Sequence, residues 1–280
     1  MSAALPIDAV AEAEYNNRTR IPEYRAIVER WAAVSAHHRP RARADLDQPY
    51  GPSERQRYDL FYAGSPTAPL LVYIHGGYWQ LGSGRDTAFV ARRFTEAGID
   101  VAIPTYSLCP AVSVAEIIDE LRRCVSALWT RTGKRPVVAG HSAGGHLTAA
   151  LLATPWHAVP GVPDDLVRGG CAISGVFDLT PMIGTTMNAA LRLDDARARE
   201  VSPLFWLPPA AGCELVAAVG SAETGEFHRQ SRTLTEAWTR AGVTCEYMVI
   251  GDTHHFSVVD ELTRPDSALL ARVVSLARRW

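Results

Sequence analysis

Gly140-His141-Ser142-Ala143-Gly144 fits the pattern G-x-S-x-G, and it stands between the apolar run PVVA and a helical stretch that opens near Ala143. Where a strand turns sharply into a helix, small residues on either side permit a strained bend that leaves the central serine hydroxyl exposed. A serine hydroxyl is a poor nucleophile at neutral pH. The chemistry it suggests, acyl transfer, therefore needs a histidine to take its proton and a carboxylate to orient that histidine. Upstream, His75-Gly76-Gly77-Tyr78-Trp79 follows the apolar run LLVYI. Glycines there let backbone amides face a developing oxyanion, which makes Gly76, Gly77 and Ala143 the candidate donors.

After a serine in this strand-to-helix setting, the acid and then the histidine are expected further along the chain. His254 and His255 lie between the strand-like VTCEYMVI and the helical HFSVVDELT. His255 is favoured as the base because it directly precedes Phe256 at the helix entry. His254 is then a pocket wall or a partner of the base, and the pattern alone leaves the pair open. For the acid, Glu223 is the first carboxylate after the strand ELVAAVG, with Glu226, Asp252 and Asp260 as competitors. His37 and His38 fall at a polar helix end, where terminal carbonyls attract them. No histidine or cysteine stands at metal-ligand spacing, and no GxGxxG or P-loop pattern is present, so neither a metal nor another cofactor is expected.

Positioning these residues requires alternating strands and helices. A stretch up to about His38 has Ile21, Tyr24, Ile27, Val28 and Trp31 at helical spacing, and predicts an N-terminal helical cover over about 1–40. Residues 40–52 are polar and turn-forming, and ERQRYDLFYA then alternates, so two short hairpin-like strands are expected to open the sheet. LLVYIH, DTAFVARRFTEAG and DVAIPTY read as a βαβ unit, and strand and helix keep alternating to VTCEYMVI. This pattern predicts an α/β fold, with a mainly parallel central sheet and helices on both faces. The absence of a repeat or a long Gly/Ser linker predicts a single domain over 1–280. The irregular segment at about 180–209 is its expected cap insertion, over the carboxyl ends of the strands.

A chain of 280 residues that is 47% hydrophobic and 21% charged can fill a core, which excludes disorder. A net charge of −2 offers no basic field, so nucleic acid and membrane surfaces are not expected partners. A small-molecule substrate is expected, and a homodimer is left open. The stretch 136–163 lacks charged residues but contains histidines, prolines and glycines, which suits a buried core segment better than a membrane span. Five scattered cysteines without a CxxC pair read as reduced thiols, and the N-terminal residues lack a leader design, so a cytoplasmic location is expected.

These segments together resemble the α/β-hydrolase superfamily, in its hormone-sensitive-lipase-like branch, and more narrowly the kynurenine formamidase (arylformamidase) group. The segments that carry the resemblance are HGGYW at 75–79, GHSAGGHL at 140–147, SGVFDLTP at 174–181, EFHRQS at 226–231 and HFSVVDEL at 255–262, with YNNR at 15–18. The resemblance implies an α/β-hydrolase fold with Ser142 as nucleophile, His255 as base and Glu223 in the acid position, where an aspartate is more familiar. It also implies hydrolysis of N-formyl-L-kynurenine. A formyl group needs little acyl space, whereas an aryl leaving group needs apolar walls. Tyr78, Trp79 and Phe177 are candidates for those walls and equally suited to packing; His141 and His254 are further candidate substrate contacts. The same machinery would serve a carboxylesterase, and a scaffold used only for binding is the third alternative.

Overall fold

A computed structural model describes residues 6–280; the first five residues of the expected N-terminal cover lie outside the described residues. Three helices open the chain, α1 (Ala9–Tyr15), α2 (Asn17–Arg20) and α3 (Tyr24–His38). The strands β1 (Ala44–Pro49) and β2 (Arg57–Phe61) follow as an antiparallel pair. The polar stretch 40–52 is therefore not wholly a turn. β1 forms there because pairing with β2 overrides its polar composition, and a register shift between Asp45 and Gln48, with Asp47 at φ 56°, absorbs the extra residue.

β3 (Leu70–Ile74) leads through α4 (Gly84–Thr87) and α5 (Ala91–Glu96) to β4 (Asp100–Thr105). DTAFVARRFTEAG is not one helix but two, separated by a 3-10 turn at Ala88–Val90. The cause is a side chain inserted into the helical ladder: Ser35 Oγ donates to the Asp86 carbonyl at 2.9 Å and accepts from the Phe89 amide at 3.0 Å. Next come α6 (Val114–Thr132), β5 (Pro136–His141), α7 (Ala143–Leu152) and β6 (Gly169–Ile173). α6 starts at a reciprocal Ser113–Glu116 capping box and stops at Gly133, whose φ of 65° suits the left-handed cap. Short helical pieces, including α8 (Asn188–Leu191) and α9 (Asp195–Glu200), separate β6 from β7 (Glu214–Gly220). The chain closes with α10 (Gly225–Arg240), β8 (Thr244–Ile250), α11 (Ser257–Asp260) and α12 (Ala268–Arg279).

The eight strands form one sheet in the order β1-β2-β4-β3-β5-β6-β7-β8. β2 runs antiparallel to both neighbours, and every pairing from β4 to β8 is parallel. Continuous apolar runs such as LLVYI are buried along their whole length because both sheet faces are covered. α6, α7 and α10 bury one face, while α5, α12 and the Trp31 side of α3 bury the other. Parallel strands bring their carboxyl ends, and hence the loops after β3, β5, β7 and β8, to one edge.

The segment at about 180–209 does not wall the cavity at that edge. It packs beside α1, where the Asp8 amide donates to the Gly184 carbonyl at 2.7 Å and the Thr186 amide to Glu12 at 2.8 Å. Residues of α2 and α3 cover the site instead. Among the described residues, no helix is long and apolar enough to cross a membrane.

Candidate active site

β5 ends at His141 and α7 begins at Ala143, leaving Ser142 alone on the bend with φ 56° and ψ −117°. That backbone is costly for a residue with a Cβ, by about 1–3 kcal/mol, and tight packing on either side holds it. A Cβ on Gly140 would lie 2.3 Å from the Gly144 carbonyl oxygen, and one on Gly144 would lie 2.0 Å from that of Ile74. Only glycine fits at either position. The Ser142 amide is anchored on the Ile173 carbonyl at 2.8 Å, which ties the bend to the neighbouring strand.

His255 Nε2 lies 3.0 Å from Ser142 Oγ, and His255 Nδ1 lies 2.7 Å from Glu223 Oε2. The serine comes from the turn after β5, the acid from the turn after β7 and the histidine from the loop after β8. Glu223 Oε1 accepts from the Gly220 amide at 2.8 Å and from Ser174 Oγ at 2.5 Å. Both carboxylate oxygens are thus engaged in a buried setting, where a fixed hydrogen-bond frame is needed to hold a charge. With Nδ1 donating to the carboxylate, Nε2 is free to accept the serine proton.

The competing carboxylates are occupied elsewhere. Glu226 is bound twice by Arg229 and once by the Tyr15 hydroxyl, Asp260 by Arg30 and Trp31, and Asp252 stands exposed on the turn after β8. His254 points away from the serine: its Nδ1 accepts from the Phe256 and Ser257 amides at 3.2 Å, capping α11. His38 is not a helix-end carbonyl partner but stacks on Phe61 at 5.4 Å.

His141 Nε2 meets the carbonyl oxygen of His255 at 2.7 Å and must donate, because a carbonyl only accepts. Burial and the adjacent His255 ring, 4.7 Å away, hold the His141 pKa well below the usual histidine value. It is a neutral brace for the loop that carries the base. Ser174 is a functional contact that the sequence did not assign; His141 was expected as a substrate contact and does line the cavity, but its bond to the His255 carbonyl was not foreseen. Ser174 sits inside the SGVFDLTP segment at φ 51°, but nothing in its type or spacing pointed to the acid.

Gly76 stands directly beside the serine, since a Cβ on it would lie 2.8 Å from the His141 carbonyl oxygen and 3.1 Å from Ser142 Cβ, and Gly77 lines the same cavity. Among the described residues, no hydrogen bond engages the amides of Gly76, Gly77 or Ala143. Ala143 is also the first residue of α7, where amides lack intrahelical partners. His75 Nδ1 donates to the Gly76 carbonyl at 2.8 Å, and its ring stacks on Tyr106 at 4.1 Å. A planar trans peptide opposes its carbonyl and its amide, so fixing the Gly76 oxygen also fixes the Gly77 N–H.

The serine opens onto a cavity of about 160 Å³. Gly76, Gly77, Tyr78, His141, Ser142 and His255 line it. Trp79, Phe177 and His254 do not. The Trp79 indole is turned inward to His146 Nδ1 at 3.2 Å, and Phe177 is fully buried, its backbone amide donating to Gln230 Oε1 at 2.9 Å. The apolar wall comes instead from Tyr24, Val28 and Trp31 of α3, together with Leu81, Phe256 and Val259. The helical spacing of the first three was legible, but not the cavity they face. Among the described residues, no group of histidine, cysteine or acidic side chains is arranged to hold a metal.

The sequence profile of the alpha/beta hydrolase fold matches residues 71–258, two-thirds of the chain, and spans the glycine loop, the serine bend and the histidine. The chain belongs to the alpha/beta hydrolase family. This hydrolase is 31% identical over 225 residues to the kynurenine formamidase of Danio rerio, covering 78% of its own chain and 76% of that relative. It is 28% identical to the kynurenine formamidase of Salmo salar, covering 79% and 78%. A solved candidate thioesterase from Silicibacter sp. tm1040 superposes with a TM-score of 0.86 at 30% identity, covering 95% of this hydrolase and 98% of that chain.

Proposed function

We propose that this hydrolase cleaves the formamide bond of N-formyl-L-kynurenine, giving kynurenine and formate through a formyl-serine intermediate. The observation that carries the reading is the similarity to kynurenine formamidases over three-quarters of either chain, on a chain whose hydrolase profile spans the serine, the acid and the histidine. Ser142 Oγ attacks the formyl carbon as His255 Nε2 takes its proton. The resulting oxyanion is met by the amides of Gly76, Gly77 and Ala143, each such donor contributing about 3 kcal/mol. Collapse breaks the C–N bond, and His255 delivers the proton to the departing aniline nitrogen. Water, deprotonated in turn by His255, attacks the formyl ester and releases formate and the free serine. Glu223 keeps the imidazole oriented and stabilises its charged form throughout.

Comparing kcat/KM for N-formyl-L-kynurenine with that for p-nitrophenyl acetate tests the reading. Turnover of the formamide is expected. Rapid ester hydrolysis without formamide turnover would return the function to a carboxylesterase. We also assign the chain to the cytoplasm, a reading supported by five free cysteines, four of them buried. Thiol titration of the unfolded protein isolated from cells, without reductant, should count all five.

A further inference from the structure

The lining of the Ser142 cavity is apolar apart from its histidines, a few hydroxyls and two charged side chains, Arg18 and Asp86. Among the described residues, neither forms an ion pair. The Arg18 guanidinium lies 4.8 Å over the Tyr78 ring, and Glu12, which feels its charge, has its oxygens taken by Asn16 and Thr186. Asp86 Oδ2 accepts the Ser83 hydroxyl at 2.8 Å. Several other arginines of this chain do have an acid beside them, as in Arg30–Asp260, Arg39–Asp59 and Arg229–Glu226, and Arg55 and Arg57, which do not, spend their donors on backbone carbonyls. An unpaired cation and an unpaired carboxylate on one small apolar cavity therefore call for a ligand that carries both charges.

Both side chains are built into place. Tyr78 accepts from the Asn17 amide at 3.0 Å and donates to the Tyr15 carbonyl at 2.9 Å, which seats α2, and Arg18 with it, on the glycine loop. Asp86 stands on the helical turn that Ser35 interrupts, so its backbone is held by α3.

We propose that Arg18 and Asp86 clamp the zwitterionic head of an α-amino acid, Arg18 taking the carboxylate and Asp86 the ammonium, while the aryl body lies on the apolar wall. The clamp deepens the formamidase reading and rests on it for the reaction. A neutral ester would gain nothing from either charge. An arginine–carboxylate contact and an ammonium–carboxylate contact are charge-assisted hydrogen bonds, and losing either should weaken binding on the order of 10-fold to 100-fold.

The test uses the full chain and its variants Arg18→Gln and Asp86→Asn. The ratio of kcat/KM for N-formyl-L-kynurenine to that for formanilide, which lacks the charged head, is expected to fall about 10-fold or more in each variant, through KM. Calorimetric titration with L-kynurenine and with kynuramine, its analogue without the carboxylate, reads the clamp independently of turnover. Wild type should bind L-kynurenine about 10-fold more tightly, and Arg18→Gln should erase that difference. Unchanged ratios and unchanged binding would overturn the clamp and leave the formamidase reading standing. A wild type that turns over neither formamide would overturn that reading, while the titrations would still decide the clamp.

Discussion

Ser174 Oγ donates to Glu223 Oε1 at 2.5 Å, from a backbone held at φ 51° at the end of β6. The Ser174 amide is itself fixed on the Ala218 carbonyl at 2.7 Å. Glu223 follows β7 by three residues, and its long side chain folds back to take the Gly220 amide and the serine on one oxygen while presenting the other to His255. An aspartate at this position would be one methylene shorter. The hydroxyl and the amide make the glutamate a fixed orienting group.

Removing the acid should separate its effect from that of its neighbours. Glu223→Gln is expected to lower kcat by about 10³–10⁴ with little change in KM, because the wrong histidine tautomer is then favoured. Ser174→Ala should lower kcat by roughly 10-fold, and Glu226→Gln should lower the melting temperature while sparing kcat. Steady-state kinetics with N-formyl-L-kynurenine would check this, and a larger loss in Glu226→Gln than in Glu223→Gln would move the acid.

Ser142→Ala should abolish formyl transfer, cutting kcat by about 10⁴ or more, while L-kynurenine still binds. Turnover and calorimetric binding measured on the same preparation would show it. Retained turnover would remove Ser142 as the nucleophile.

Two glycines should fail in different ways. Gly76→Ala places a methyl 3.1 Å from Ser142 Cβ and 2.8 Å from a backbone oxygen, and is expected to cost about 10² in kcat through the displaced amide. Gly144→Ala meets the Ile74 carbonyl at 2.0 Å, where neither α7 nor β3 can yield, and should cost about 3 kcal/mol of stability. Urea unfolding and kcat measured together distinguish a disturbed site from a disturbed fold.

Buried histidines should make this hydrolase acid-sensitive. Burial pushes His75 and His146 down to about 4 from an ordinary 6.5. The His146 ring has Nε2 on the Val201 carbonyl and Nδ1 accepting from the Trp79 indole, so an added proton on Nδ1 would face another N–H. The unfolded chain takes up these protons below pH 6.5, and the folded chain does not until about pH 4. Stability is therefore complete above 6.5 and falls with pH between those values, by about 1.4 kcal/mol per pH unit for each histidine. Urea midpoints at pH 7.5, 6.0 and 5.0 should fall accordingly, and because His141 is held down as well, His146→Gln should make the fall shallower without removing it. A flat profile down to pH 5 would contradict it.

Sequence by itself determined the alternating strands and helices, the serine on its glycine-flanked bend, the glycine loop after β3 and the order of serine, acid and histidine along the chain. Those features are local: periodicity, turn chemistry and steric need act within a few residues, so their signals survive in one dimension. Which walls face the cavity was decided only by the tertiary structure. Trp79 and Phe177 carry aromatic rings next to the motifs, yet the sheet turns them inward, while Tyr24, Val28 and Trp31 arrive from a helix more than a hundred residues before the serine. The same holds for Ser174 with Glu223, for His141 with the carbonyl of His255, and for the break that Ser35 makes in the helix after β3. Such contacts depend on how separate elements pack against each other, and a residue's type and spacing record only the face it offers, not the partner that meets it.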